Sequence, residues 1–119
     1  MTIERILSDL RSMLSEGQIN TTPNDLYDAS ADRYKKYAKA KKVLDNPVPA
    51  AIVYPLTAGE VSKLLHYCND NHVNVIPRSG KTATEGGLEN WKEFAVVIDG
   101  KHLDKIIDID TYNMQATVQ

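Results

Sequence analysis

The 119-residue sequence contains one cysteine, Cys68, so an internal disulfide is impossible. No apolar run approaches the length needed to span a bilayer, and no internal repeat is present. The N-terminus carries Glu4, Arg5 and Asp9 where a signal peptide would need an apolar stretch, which points to the cytoplasm. A basic surplus is also missing: the formal net charge of -2 argues against a general nucleic-acid binder. The three histidines, His66, His72 and His102, are scattered without the clustered ligands a metal centre needs. What remains, 42% hydrophobic and 25% charged residues, excludes disordered, collagen-like and coiled-coil chains. A chain of this length supports one core and buries roughly two thirds of its unfolded surface.

Ile3, Ile6, Leu7, Leu10 and Leu14 recur at helical spacing, with Thr2 as a cap and Gly17 where a C-terminal stop belongs. Thr22-Pro23-Asn24-Asp25 offers a cap, a first-turn proline and an early carboxylate, which predicts a short helix over Leu26 to Ala31. From Arg33 to Lys42, basic residues alternate with Tyr34 and Tyr37. That run could follow a phosphate backbone or an acidic membrane, but it reads best as a solvated surface, because the remaining chain cancels its charge.

Ala50 to Tyr54 is an unbroken apolar run of strand length closed by Pro55. Thr57-Ala-Gly-Glu60 is a capping box, after which Val61, Leu64, Leu65 and Cys68 form one helical face; Cys68 reads as a core residue there and not as a nucleophile. Val73 to Ile76 completes a strand–helix–strand unit expected to be parallel. Phe94 to Ile98 is a third short buried strand. Ile106 to Ile109 begins another element, and Met114 to Val118 alternates as a strand with one covered face. Ile52, Val53, Val61, Leu64, Leu65, Val75, Val96 and Val97 are expected to share one core.

The chemistry concentrates in the loop that leaves the second strand of that unit. Arg78, Ser79, Lys81, Thr82 and Thr84 are polar, and Gly80, Gly86 and Gly87 admit backbone angles closed to other residues. A glycine-bearing loop at the C-terminal end of a strand turns several N–H groups into one concavity, which suits a phosphate or pyrophosphate. An ordinary surface turn is the competing reading. Gly80-Lys81-Thr82 mimics the end of a Walker A motif, but the first glycine of that motif would fall at Val75, inside the strand, and a helix starting at Lys81 would run into Gly86-Gly87.

Pro49-Ala-Ala-Ile-Val-Tyr-Pro55, Thr57 to Val61, Val75-Ile-Pro-Arg-Ser-Gly80, Glu85-Gly-Gly87, Val96 to Asp99 and Ile106 to Asp110 through Ala116 to Val118, in that order, resemble the PCMH-type FAD-binding domain of the vanillyl-alcohol-oxidase-like flavoproteins. The resemblance covers about Tyr27 to Gln119. It implies an α+β fold: an N-terminal helix, a strand–helix–strand parallel unit and further short strands, forming the first lobe of that domain. Residues 1–46 would then be an N-terminal helical and basic segment, and residues 47–119 the N-terminal part of the FAD-binding domain.

The resemblance further implies that Pro77, Arg78, Ser79, Gly80, Lys81 and Thr82 wrap the FAD pyrophosphate, chiefly through backbone N–H groups, with Gly86 and Gly87 closing the loop and Pro55 on the adenine side. Lys81 stands where the family commonly has glycine. Thr82 stands where some members carry a histidine bonded to the flavin, so FAD is expected to be held non-covalently. The chain stops at Gln119 without a cap or polar tail, as a cut through a larger domain would. The rest of the FAD-binding domain and a substrate domain are expected beyond it, leaving a strand edge that invites self-association. The implied activity is oxidation of a 2-hydroxy acid or similar alcohol by the complete protein, with the 119-residue chain alone inactive. A nucleotide-free interaction fragment is the alternative.

Overall fold

The computed structural model describes residues 1–119. Helix α1, Ile3–Met13, is capped by Thr2, whose Oγ1 accepts from the Arg5 N–H at 3.2 Å. Its apolar stripe buries Ile6, Leu10 and the following Leu14. The helix stops before Gly17, because a competing turn forms first. The Gln18 side chain accepts from both the N–H and the hydroxyl of Ser15 and donates to the Tyr54 carbonyl and to Glu60. Strand β1, Ile19–Asn20, and helix α2, Pro23–Asp28, follow, with Pro23 in the first turn as the sequence predicts. The basic run forms a tight turn over Arg33–Lys35 and helix α3, Lys36–Ala40.

Strand β2, Ala51–Val53, leads to helix α4, Ala58–Asp70, which returns the chain to strand β3, Asn74–Arg78. Thr57 Oγ1 accepts from the Glu60 N–H at 3.1 Å, closing one half of the capping box. The other half is displaced by one residue: Glu60 accepts from the Leu56 N–H at 2.7 Å, chiefly as a result of which its carboxyl lies below the usual range. Strand β4, Ala95–Asp99, does not add to the outside of β2 and β3. It inserts between them, parallel to both, and β1 pairs antiparallel with β2, giving the order β1-β2-β4-β3.

That insertion divides the expected single core in two, because successive residues on a strand face opposite sides of the sheet. Ala51, Val53, Val96 and Ile98 face α1 and α4, packing with Ile6, Leu10, Leu64 and Cys68. Ile52, Ile76, Ala95 and Val97 face the other way, against Ala29, with Leu26, Tyr54 and Leu88 packed on them. Leu65, placed with the core by periodicity, is 47% exposed, and Val61 is half-buried.

Strands β5, Ile106–Asp110, and β6, Gln115–Val118, form a separate antiparallel hairpin. Its turn is held by Asp110, whose carboxylate accepts from the N–H groups of Tyr112 and Asn113 and from the Asn113 amide. The expected covered face is absent: no residue of either strand is buried.

Candidate functional site

Because β2, β4 and β3 are parallel, their C-terminal ends meet on one side, where Arg78 pairs with Asp99 across the strands. The Arg78 Nε donates to Asp99 Oδ2 at 2.7 Å, with the two side chains 8% and 3% exposed. Asp99 Oδ1 also accepts from the Lys101 N–H. A buried pair of this kind fixes where β3 ends and the loop begins, since removing either partner strands a charge out of water.

From Ser79 the backbone leaves the sheet. Lys81 adopts φ 57° and Gly86 φ 90°, the left-handed region that a side chain at Lys81 occupies at a cost of order 1 kcal/mol. The N–H groups of Ser79, Gly80, Lys81 and Thr82 donate to no protein acceptor, and these residues, like Pro77, are exposed. Gly86 is half-buried, Gly87 is exposed, and Pro55 is buried just after β2. No helix starts at Lys81, which removes the Walker A reading.

Beside the loop, between α2, α3 and the ends of β2 and β3, lies a cavity of about 540 Å³. Of the residues singled out in the sequence, Arg78 and Lys81 line it; Pro55, Pro77, Ser79, Gly80, Thr82, Gly86 and Gly87 do not. Arg33, Lys36 and Lys39 also line it, together with the apolar Ile52, Tyr54 and Leu88.

The basic run is therefore more than a solvated surface. Lys39 donates to the Ala31 carbonyl at 2.5 Å, and burial, opposed by Asp28, Asp32 and Glu89, holds its ammonium below the usual lysine range. Lys35 donates to Asn46 at 2.9 Å and to Glu89 at 3.2 Å, and lies over the Trp91 ring. Burial pushes the Glu89 carboxyl up, but the Tyr34 hydroxyl, the Asn46 amide and the Lys35 ammonium outweigh it and bring it below the usual range. Sequence reasoning missed these inward-facing lysines. No local signal distinguished them, since the interleaved Tyr34 and Tyr37 are themselves 54% and 75% exposed.

A family model described as an FAD binding domain matches residues 49–119. The chain belongs to the FAD-binding domain family. This FAD-binding domain is 38% identical over 114 residues to the FAD-linked oxidoreductase YgcU of Escherichia coli (strain K12), covering 96% of the chain and 24% of that protein. It is 34% identical over 121 residues to the mitochondrial D-lactate dehydrogenase (cytochrome) of Kluyveromyces lactis, covering 99% of the chain and 20% of that protein. Among solved structures, alkyldihydroxyacetonephosphate synthase superposes with TM-score 0.86 at 20% identity, over 100% of the chain and 23% of its own. p-Cresol methylhydroxylase superposes with TM-score 0.68 at 20% identity, over 90% and 20%. The chain thus spans under a quarter of the length of these relatives.

The cofactor of the domain is FAD, and the residues present fit it. Five cationic residues line the cavity against three acidic ones, although Arg78 is paired with Asp99, and the four consecutive N–H groups from Ser79 to Thr82 have no protein acceptor. No helix is long and apolar enough to cross a membrane.

Proposed function

We propose that this chain is the opening part of the FAD-binding lobe of an FAD-linked oxidoreductase that oxidises a 2-hydroxy acid. The observation that carries the proposal is that the loop leaving the C-terminal end of a parallel strand has four consecutive N–H groups, Ser79 to Thr82, without a protein acceptor, and adjoins a cavity lined by Arg33, Lys36, Lys39, Arg78 and Lys81. In this reading Arg78, Ser79, Gly80, Lys81 and Thr82 receive the pyrophosphate, mainly through the backbone. Pro77 precedes the loop at the end of β3, Gly86 and Gly87 close the loop, and Pro55 stands on the adenine side. Side chains of Lys81, Arg33 and Lys36 add positive potential without fixed geometry. Thr82 has a hydroxyl and no imidazole, so the flavin is held non-covalently. When bound, FAD supplies the two-electron acceptor for the alcohol carbon.

The substrate class rests on the relatives, which include D-lactate dehydrogenases, a glycolate oxidase subunit and D-2-hydroxyglutarate dehydrogenases. We take residues 47–119 as the FAD-binding part and residues 1–46 as its helical and basic companion, with the cytoplasm as compartment. The remainder of the FAD-binding domain and the substrate domain belong to the polypeptide beyond Gln119. The exposed β5–β6 hairpin is the surface through which the isolated chain self-associates.

Titration of the chain with FAD and, separately, ATP tests the reading. Quenching of flavin fluorescence and a rise in Tm with FAD, with no rise for ATP, is the expected result. An identical response to both ligands, or to neither at high protein concentration, would sink it. No turnover of 2-hydroxy acids by the FAD-supplemented chain is expected, since it spans only 24% and 20% of the length of the two relatives above.

A further inference from the structure

We infer that Asp32, which lies outside the residues matched by the family, is a positioning residue that presets the loop from Ser79 to Leu88 before any ligand arrives. Between Ser79 and Glu89 the loop makes one backbone hydrogen bond to itself, from the Glu89 N–H to the Gly86 carbonyl at 3.1 Å. Its other attachments run to the segment between Ser30 and Pro47. Asp32 Oδ2 accepts from the Gly86 N–H at 2.7 Å, at the one glycine of the loop with positive φ. The Arg33 N–H reaches the Ala83 carbonyl at 3.4 Å, and the Asn90 N–H donates to the Ser30 carbonyl at 2.9 Å. The Asn90 side chain donates to the Pro47 carbonyl, and Asn46 donates to Glu89 and to the Asn90 carbonyl.

Asp32 is the centre of this attachment. It is 1% exposed, its Oδ1 has no hydrogen-bond partner, and it stands at the wall of the cavity beside Arg33. A carboxylate withdrawn from water for a single backbone donor is costly to keep unless that donor needs fixing, and a charge-assisted bond is about twice as strong as a neutral one. The left-handed turn at Gly86 is the point where the loop reverses. Holding its N–H fixes the return path, and with it the direction in which the free N–H groups of Ser79 to Thr82 face. The role assigned to Asp32 is through the Gly86 N–H and not as a partner of the pyrophosphate, which its charge would repel. The link to cofactor affinity rests on the FAD reading above; the ordering of the loop does not.

Hydrogen exchange of the 119-residue chain, read residue by residue, separates the two. In Asp32→Ala the Gly86 and Asn90 amides should exchange at least about tenfold faster, with Val96 to Ile98 in β4 unchanged, as local opening without global unfolding requires. Asp32→Asn keeps one carbonyl oxygen for the Gly86 N–H and should stay within about threefold of the parent. FAD affinity, read by flavin fluorescence, should fall about tenfold in the alanine variant and recover in the asparagine variant. Unchanged Gly86 exchange in Asp32→Ala would overturn the inference. So would β4 amides that accelerate together with Gly86 in both variants, since Asp32 would then act through the whole fold. A loosened loop with undiminished FAD affinity would overturn the link to binding. A parent chain that leaves flavin fluorescence unchanged counts against the FAD reading, while the exchange result still decides the role of Asp32.

Discussion

Two β regions of this molecule use nearly the same residues and end in opposite environments. Val96, Val97 and Ile98 in β4 are buried, whereas Ile106, Ile107 and Ile109 in β5 are 66%, 64% and 61% exposed. The difference is one of partners. Strand β4 has a parallel neighbour on each edge and helices or loop residues on each face, while β5 has one antiparallel neighbour and no cover. β-Branched residues fit any pleated surface, so their presence marks a strand without saying which strand becomes the centre.

The sharpest way to break the contrast is to remove Asp99. Asp99→Ala leaves the Arg78 guanidinium buried without its partner and should cost about 3–5 kcal/mol in denaturant unfolding; a loss under 1 kcal/mol would mean that water reaches Arg78. Leu64→Ala, against the α1/α4 face of the sheet, should cost about 2–5 kcal/mol, whereas Ile107→Ala in the hairpin should change stability by no more than about half a kcal/mol. Equal losses from those two variants would erase the distinction between the regions.

Alkali provides a milder probe of the sheet's helical cover, which contains Tyr67 and Cys68. Burial, followed by the hydrogen bond to Asp9, pushes Tyr67 up to about 12, and burial pushes Cys68 up to about 11. Both folded values are raised, so their contributions are complete below the ordinary values of 10.0 and 9.0 and disappear as pH rises through about 12 and about 11. Stability should therefore decline from pH 9 upward, and Tyr67→Phe should flatten the part of that decline between pH 10 and 12. An unchanged slope in the variant would show that Tyr67 takes no part.

The smallest effect is expected at Lys81. Lys81→Gly removes left-handed strain of about 1 kcal/mol but adds unfolded-state freedom of about 0.4–1 kcal/mol, so stability should move by no more than about half a kcal/mol. FAD affinity should weaken only modestly, since the backbone donors remain. Complete loss of FAD in this variant would make the ammonium, and not the loop, the dominant contact.

Helices α1 and α4 and strands β2, β3 and β4 were legible because each carries its signal within a few residues: a cap, a period or an apolar run. What was not legible depends on distant partners. Gln18 ends α1 early by reaching Ser15, Tyr54 and Glu60, and nothing local to Gly17 announces that. The insertion of β4 between β2 and β3 could not be read from spacing, and it puts Ile52 and Val97 in a different core from Val53 and Val96. The loop was legible from its glycines, and the family's usual glycine at the Lys81 position agrees with the left-handed angle found there. The inward ammonium groups of Lys35 and Lys39 were not, because a basic helix with solvated neighbours looks the same in sequence whichever side faces the loop.

The central position of β4 also sets an order on synthesis. As the chain emerges from the ribosome, β2, α4 and β3 are complete once Arg78 is out, yet β2 and β3 share no hydrogen bonds with each other. The sheet cannot close until Ala95 to Asp99 arrives and threads the gap between two waiting edges. Until then the strand–helix–strand segment is a clasp held open, with the edges of β2 and β3 that will receive β4 still unpaired.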